Sequence, residues 1–407
     1  MQFKILNDRR FWLIFAFGLS LAGFPRGILT EWINRTGEVY STNHPGGGDF
    51  VNFYVASLMV LKGQAAQLFD AAQYSAALQD IYGSDFGVRW LYPPHFLFFI
   101  WPLGALPYMV AYALFMGASL TAFIFVAAKT WGGREIVFWL IMAPVSILGV
   151  LVGQTAFIVG ALMIGSIYWW DRKPIVAGIL LGILTVKPQF GVLIPLVLLL
   201  ERRWLVIAVA SATALALAGL SIAAFGIEPW RAFFFGMEGP NGDILRTASK
   251  SFLSVQLSTF GAARYGDIPI AQAAAMQAVV SVLAVLALIR TTLSRARWDT
   301  KAAMLVVATY LFSPYVLFYD LAAPTFVALW LYLGKERESA PGPLFSIVLL
   351  LAASLSFVNG ATTLAGVSAG PPVLLALAIG LMARVRAEER EAGGESPALS
   401  QLRPVTV

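Results

Sequence analysis

Apolar runs dominate this chain and follow one another from Phe11 to Arg384 with few breaks. Hydrophobic residues make up 59% of the 407 residues and charged residues only 12%, whereas a soluble domain carries about 25% charged residues to cover its surface. A core of ordinary size cannot keep so many apolar side chains out of water. The sequence therefore predicts an all-α polytopic membrane protein.

The apolar runs predict about twelve transmembrane helices, since a helix needs about 20 apolar residues to cross a bilayer. The second run is too long for one straight helix, and Pro102 and Pro107 predict a break within it. Lys4, Arg9 and Arg10 before the first run resemble the start of a signal peptide, but the apolar run continues through Gly27–Leu29, so an uncleaved helix is expected. The predicted spans are 11–29, 94–128, 136–152, 155–170, 173–186, 189–200, 203–225, 269–290, 302–317, 320–334, 343–358 and 368–384.

The distribution of Lys and Arg predicts the orientation of these spans. With the N-terminus in the cytoplasm, most of the 28 basic residues fall in inside loops, as the positive-inside rule requires. We therefore expect a plasma-membrane protein with both termini cytoplasmic. It would have one transmembrane domain at 1–385, extracytoplasmic loops at 30–93 and 226–268, and a polar tail at 386–407 that is disordered.

Several classes of function are disfavoured by composition. The net charge of +6 comes from basic residues scattered in short loops, where they orient the protein, so nucleic-acid binding is not expected. The chain has no cysteine, which excludes disulfides and thiol nucleophiles. Its two histidines, His44 and His95, are far apart, and no Asp-x-Asp pair occurs, so we predict no metal site.

The first long loop contains two stretches, about 50–62 and 70–82, in which apolar residues recur at helical spacing. We predict two short helices there. They could lie in the membrane interface, as short amphipathic helices commonly do, or they could be surface helices of a small soluble loop.

Asp49 is the first candidate for chemistry, because it follows three glycines and precedes the first loop helix. Glycines let the backbone adopt unusual conformations and let a ligand approach closely. Asp49 could be a helix N-cap, or a general base.

Lys187 is the second candidate. It lies with Pro188 and Gln189 between two apolar runs, where a lysine is costly and usually functional. Lys187 could be a snorkelling residue at a helix end, or its charge could bind a phosphate. Gln189 could donate and accept hydrogen bonds to a sugar or phosphate.

The outward turns share a further group of polar and aromatic residues, whereas the inward turns carry Arg and Lys. Each of these residues alone is a weak signal, and their occurrence on one face is the informative feature. The candidate substrate-binding residues are Tyr54, Tyr92, His95, Gln154, Gln189, Tyr315, Tyr319 and Asp320, and the second long loop adds Arg246 and Lys250 as candidates for an anionic group.

These motifs resemble glycosyltransferase family 87, in consistent order over about residues 45–330. The matching motifs are Gly48-Asp49-Phe50, Leu91-Tyr92-Pro93-Pro94, Val152-Gly153-Gln154, Lys187-Pro188-Gln189, Ser313-Pro314 and Tyr319-Asp320. The resemblance implies a polyprenol-phosphate-mannose-dependent enzyme with a GT-C type membrane fold.

Such an enzyme would move a sugar from a polyprenyl-phosphate donor to a lipid or glycan acceptor on the extracytoplasmic face, with inversion and no cofactor. The resemblance implies Asp49 as general base and Lys187 at the donor phosphate, supported by Arg246 or Lys250. Tyr315 and Tyr319-Asp320 stand where some members carry a histidine-bearing segment, so the sugar stays open between mannose and another hexose or pentose.

Two other classes of function stay open at this point. A dozen helices is an ordinary number for a transporter or lipid flippase, although transporters commonly show matched halves and no internal repeat is evident here. A non-catalytic component of polymer assembly or export is the third reading.

Overall fold

The computed structural model describes residues 8–22, 47–83, 89–236, 248–334 and 341–394. Within these ranges the chain is helical, and its β pairing is a single isolated bridge between Gln256 and Leu317. The helices are Arg9–Ala22, Phe50–Leu61, Ala71–Tyr82, Leu97–Ile100, Tyr108–Ala127, Gly133–Met142, Pro144–Val152, Ala156–Trp169, Pro174–Leu184, Ile194–Leu200, Trp204–Phe225, Glu228–Gly236, Lys250–Ser254, Thr259–Tyr265, Ile270–Thr292, Trp298–Phe312, Ala322–Leu333, Pro343–Ala353, Leu355–Thr363 and Gly370–Gly394.

The described residues contain four helices long and apolar enough to cross a membrane, or up to six if each of two bent helix pairs is one span. The polytopic all-α prediction is thus supported, but the number of twelve spans is not confirmed. Several predicted spans are shorter than a bilayer needs: 173–186 yields an 11-residue helix and 189–200 a 7-residue helix. The four long helices are Tyr108–Thr130, Trp204–Phe225, Ile270–Thr292 and Gly370–Ala392.

The break predicted within 94–128 is confirmed, because the chain leaves helical geometry at Leu106 and Pro107 before the long helix begins at Tyr108. Two further bends were not predicted. The pair on either side of Ala143 is bent by 52° and the pair that meets at Ser354 by 80°. Pro144 opens the second helix of the first pair, where its fixed φ favours a helix start and its missing N–H removes a hydrogen bond.

The two predicted loop helices are present as Phe50–Leu61 and Ala71–Tyr82. The first is neither an interface helix nor a surface helix, because Phe50, Phe53 and Val55 are fully buried by protein. Its sequence is apolar on almost every side, which is typical of a helix enclosed in a core.

The predicted disorder of the tail is wrong for 386–394, since the last helix continues to Gly394. Glu388 accepts hydrogen bonds from the Thr300 hydroxyl at 2.8 Å and from Arg384 at 2.7 Å, and Glu389 pairs with Arg290 at 2.6 Å. These ion pairs hold the polar end of the helix against its neighbours. Residues 395–407 lie outside the described ranges.

The helices separate two groups of polar side chains at opposite ends of the bundle. The helix Ala156–Trp169, for example, begins beside Gln154 and ends beside Asp171. We call the end with Arg10, Arg172, Arg203 and Arg297 the basic end, and the end with Asp49, Gln154, Lys187 and Asp320 the site end.

Candidate active site

Asp49 is held in place by two turns that interlock. Its backbone N–H donates to the carbonyl of Val152 at 2.8 Å. Gly153 has φ +75°, and a Cβ there would lie 2.4 Å from the carbonyl oxygen of Gly47 and 2.7 Å from the Cβ of Phe50. Only glycine allows this backbone conformation and this close approach.

The Asp49 carboxylate does not cap the helix that follows it, since its side chain makes no capping hydrogen bond. Instead, Oδ2 accepts a hydrogen bond from Nε2 of Gln154 at 2.8 Å. The N-cap interpretation thus holds for the position of Asp49 but not for its carboxylate, which points to the 153–155 turn.

Gln154 links Asp49 to Tyr92. Its Oε1 accepts from the Tyr92 hydroxyl at 2.9 Å and from the backbone N–H of Thr155 at 3.3 Å. The Tyr92 hydroxyl also lies 3.2 Å from Oγ1 of Thr155. Both ends of the buried Gln154 amide are therefore occupied, and the geometry makes Gln154 an orienting group for the carboxylate.

Lys187 and Asp320 form a buried ion pair. Lys187 Nζ lies 2.6 Å from Asp320 Oδ1, and the two side chains are 7% and 1% exposed. The other carboxylate oxygen of Asp320 accepts from the N–H of Leu317 at 3.1 Å, and its carbonyl accepts from the Tyr310 hydroxyl at 2.6 Å. Asp320 is thus fixed from two further sides and holds the lysine charge in one position.

The Asp49 group and the Lys187 group belong to one cluster. Tyr319, Lys187 and Asp320 all lie close enough to the Asp49 carboxylate to influence its electrostatics. Lys187 Nζ also lies 5.6 Å from the centre of the Tyr319 ring. The structure thus brings two oppositely charged groups from distant parts of the sequence to the site end.

The environment of Asp49 shifts the pKa of its carboxyl group. The residue is half-buried, and burial of its carboxyl group raises its pKa above the ordinary value, while the hydrogen bond from Gln154, the nearby Tyr319 hydroxyl and the charge of Lys187 act in the opposite direction. A carboxylate whose pKa is raised toward the working pH is a better proton acceptor than an ordinary aspartate.

Three predicted site residues border the cluster. The charges of Asp320 and Asp49 act on the phenol of Tyr315. His95 contacts the end of the helix that precedes Lys187: its Nε2 is 3.2 Å from Oγ1 of Thr185, and its ring stacks on Trp230 with centroids 5.7 Å apart. Gln189 is half-buried in the turn that follows Lys187, and its side chain takes no part in the hydrogen bonds above.

The other predicted residues lie apart from the cluster. Tyr54 donates to the carbonyl of Leu106 at 2.8 Å and packs against Tyr108, which is a structural role. Lys250 forms an exposed ion pair with Asp267 at 2.6 Å. Arg246 lies outside the described residues.

Sequence reasoning missed two features of this site. Thr155 contacts Tyr92, and its place in the same turn as Gln154 was the available signal. The Lys187–Asp320 pair was also missed, although both residues are charges set between apolar runs and such charges usually pair. Within the described ranges, no group of three His, Asp or Glu side chains could hold a metal ion.

Comparison with known proteins identifies the family. The model of glycosyltransferase family 87 matches residues 90–314, which is more than half of the chain. The chain belongs to glycosyltransferase family 87. It is thus a membrane glycosyltransferase, and family membership favours an enzyme over a transporter, a flippase or an export component.

The matched range of family 87 contains Tyr92, Gln154 and Lys187, whereas Asp49 and Asp320 lie on either side of it. A comparison with curated proteins finds no match, and neither does a comparison with solved structures. The family match confirms the resemblance to glycosyltransferase family 87, over residues 90–314 of the 45–330 that the motifs span.

Proposed function

We propose that this protein transfers a sugar from a polyprenyl-phosphate donor to a lipid or glycan acceptor, with inversion, at the site end of the bundle. The observation that supports the proposal is the cluster that brings the carboxylate of Asp49, which follows three glycines, into the electrostatic environment of the buried Lys187, with Tyr319 beside both. Sugar transfer from a phosphate needs a base and a cation at two neighbouring positions, and this cluster supplies both.

Asp49 is the proposed general base. Gln154 occupies Oδ2, which leaves Oδ1 to receive the proton of the acceptor hydroxyl. As that oxygen attacks the anomeric carbon, the new C–O bond forms on one face of the sugar and the bond to the phosphate oxygen breaks on the other. The configuration therefore inverts, the proton passes to Asp49, and polyprenyl phosphate leaves with the bonding electrons.

Lys187 is the proposed cation for the leaving phosphate. Negative charge grows on the phosphate as its bond to the sugar breaks, and a preorganised donor at that point stabilises the transition state. An ammonium group has three donors, and Asp320 accepts one of them. Asp320 thus keeps the lysine charged and oriented before the donor arrives, which makes it a positioning residue.

The site end is the proposed extracytoplasmic face. Arginines concentrate at the opposite end, and basic residues are enriched on the cytoplasmic side of membrane proteins. The natural chain has no cysteine, so single cysteines can report the side of the membrane without background. We expect Asp80→Cys in intact cells to react with a membrane-impermeant maleimide and Arg202→Cys to react only after lysis; the reverse pattern contradicts the proposed orientation.

The activity can be tested with purified protein in mixed micelles. The donors are polyprenyl phosphates that carry mannose, another hexose or a pentose, and the acceptors are envelope lipid extracts. Asp49→Asn should reduce transfer by about 10²- to 10⁴-fold, the usual contribution of general acid–base catalysis. Asp80→Asn, an exposed aspartate of the same loop, is the matched control and should retain the full rate.

Two results would overturn this proposal. A full-rate Asp49→Asn enzyme would reject Asp49 as the base. Transfer from nucleotide sugars, with none from any polyprenyl-phosphate sugar, would reject the proposed class of donor.

A further inference from the structure

A cavity of about 1290 Å³ lies at the basic end of the bundle, on the opposite side from Asp49 and Lys187. It lies among the ends of the helices Arg9–Ala22, Gly133–Met142, Ala156–Trp169 and Trp298–Phe312. Its lining combines cationic and aromatic side chains, most notably Arg10, Arg134, Arg172, Arg297, Tyr168 and Trp298.

The cavity carries an excess of positive charge. Among the described residues, its lining includes four arginines and two carboxylates, those of Glu135 and Asp299. Glu135 pairs with Arg10 at 2.8 Å, and Asp299 lies 3.0 Å from Arg384, outside the lining, and 3.7 Å from Arg297. Two carboxylates offset at most two of the four arginine charges, so the described part of the lining keeps a net positive charge.

The other two arginines are presented to the cavity in different ways. Arg134 is exposed. Arg172 is held in one orientation, because it donates to the carbonyl of Tyr168 at 3.0 Å and its guanidinium lies 4.2 Å from the centre of the Tyr168 ring and 5.7 Å from that of Trp298. Stacking of this kind leaves the edge of the guanidinium free to form paired hydrogen bonds.

Exposed apolar side chains border the cavity. Phe138 lines the cavity and is 56% exposed, and Ile141 on the same helix is 49% exposed. Exposed apolar side chains on a membrane helix face acyl chains. A ligand could therefore place a charged group among the arginines and an apolar chain along this rim.

We propose that this cavity binds the headgroup phosphate of an anionic phospholipid from the leaflet at the basic end. Guanidinium groups bind phosphate oxygens with paired, charge-assisted hydrogen bonds, and basic pockets between membrane helices at this position bind anionic headgroups. Arginines that only orient a protein need neither a concave site nor aromatic walls. The inference is independent of the proposed sugar transfer.

Native mass spectrometry of the intact protein can test this site. Delipidated protein is titrated with phosphatidylglycerol, with phosphatidylcholine and with inorganic phosphate, and the occupancy of the first bound molecule is measured. We expect phosphatidylglycerol to bind well below the concentration at which phosphatidylcholine binds. Each arginine near an anionic headgroup changes affinity by about fivefold, so Arg134→Gln with Arg172→Gln should weaken binding of the first phosphatidylglycerol by about thirtyfold.

The control variant removes two positive charges from the basic end but outside the cavity. Arg386 and Arg390 are exposed on the last helix and do not line the cavity, so Arg386→Gln with Arg390→Gln should keep the first bound lipid. If the Arg172 variant does not fold, Arg134→Gln alone, at an exposed position, should still weaken binding by about fivefold. Equal losses in the cavity and control variants would overturn the proposal, and so would binding of inorganic phosphate as strong as that of the lipid.

Discussion

The buried ion pair of Lys187 and Asp320 predicts a large loss of stability when one partner is removed. Asp320→Asn keeps the size of the side chain and its acceptor for the N–H of Leu317, but it leaves a lysine that is only 7% exposed without its partner at 2.6 Å. Removing one member of a buried pair costs about 3–5 kcal/mol, because the remaining charge stays desolvated. The nearby Asp49 charge partly compensates, so we expect the lower end, about 3 kcal/mol.

The chain offers a matched control for this prediction. Lys250 and Asp267 lie at the same N–O distance of 2.6 Å, but their side chains are 61% and 76% exposed. Exposed pairs contribute about 0–1 kcal/mol, so Lys250→Met should cost less than 1 kcal/mol. Because the N–O distance is the same in both pairs, the difference in unfolding free energy between the two variants reports the effect of burial.

The free energy of unfolding can be measured by titrating the protein in mixed micelles with sodium dodecyl sulfate. The double variant Lys187→Met with Asp320→Asn should be more stable than the sum of the two single changes predicts, because it leaves no unpaired charge. It should still lack sugar transfer. Equal costs for Asp320→Asn and Lys250→Met would refute the reasoning, as would additive effects in the double variant.

Three further predictions concern the 153–155 turn and its contacts. Sugar transfer should fall as the pH drops through the raised pKa of Asp49, because the base must be unprotonated to accept a proton. Gln154→Leu removes a hydrogen bond that lowers this pKa, so the variant should lose kcat/KM at a higher pH than the unchanged enzyme. The same acid limb of the pH profile in both proteins would contradict this prediction. Gly153→Ala should destabilise the protein by more than backbone strain alone, which costs about 1–3 kcal/mol, because the added Cβ collides with Gly47. Gly63 has the same φ of +75° but lies in open space, so Gly63→Ala is the control in thermal unfolding. Tyr92→Phe should cost about 0.5–1.5 kcal/mol for the lost hydrogen bond to Gln154, measured by the same detergent titration, and no loss would contradict the contact.

Local features of the fold could be predicted from the sequence. The span 203–225 appears as Trp204–Phe225, and the break near Pro107 is present, because a long apolar run and a proline act on their own stretch of chain. The 80° bend at Ser354 could not be predicted, since no proline or glycine marks it. The burial of Phe50–Leu61 was also missed, because an apolar pattern does not reveal whether protein or lipid covers the helix.

Part of the candidate site could also be predicted from the sequence, and part of it could not. Asp49, Gln154 and Lys187 could be identified because each is a polar residue in a turn between apolar runs. Their partners could not be assigned, since Asp320 is 133 residues from Lys187 and only the packing of the helices brings the two together. Lys250 illustrates the converse: a basic residue in the second long loop looked suitable for a phosphate, but its charge is paired with Asp267 at the surface.

The structure of the Asp49→Asn protein with a bound polyprenyl-phosphate sugar would show whether the two charged groups form one reaction centre. We expect a phosphate oxygen within hydrogen-bond distance of Lys187 Nζ, about 2.7–3.2 Å, and the anomeric carbon on the side of residue 49. A donor whose phosphate binds elsewhere, with the Lys187–Asp320 pair unchanged and out of reach, would contradict the proposed mechanism.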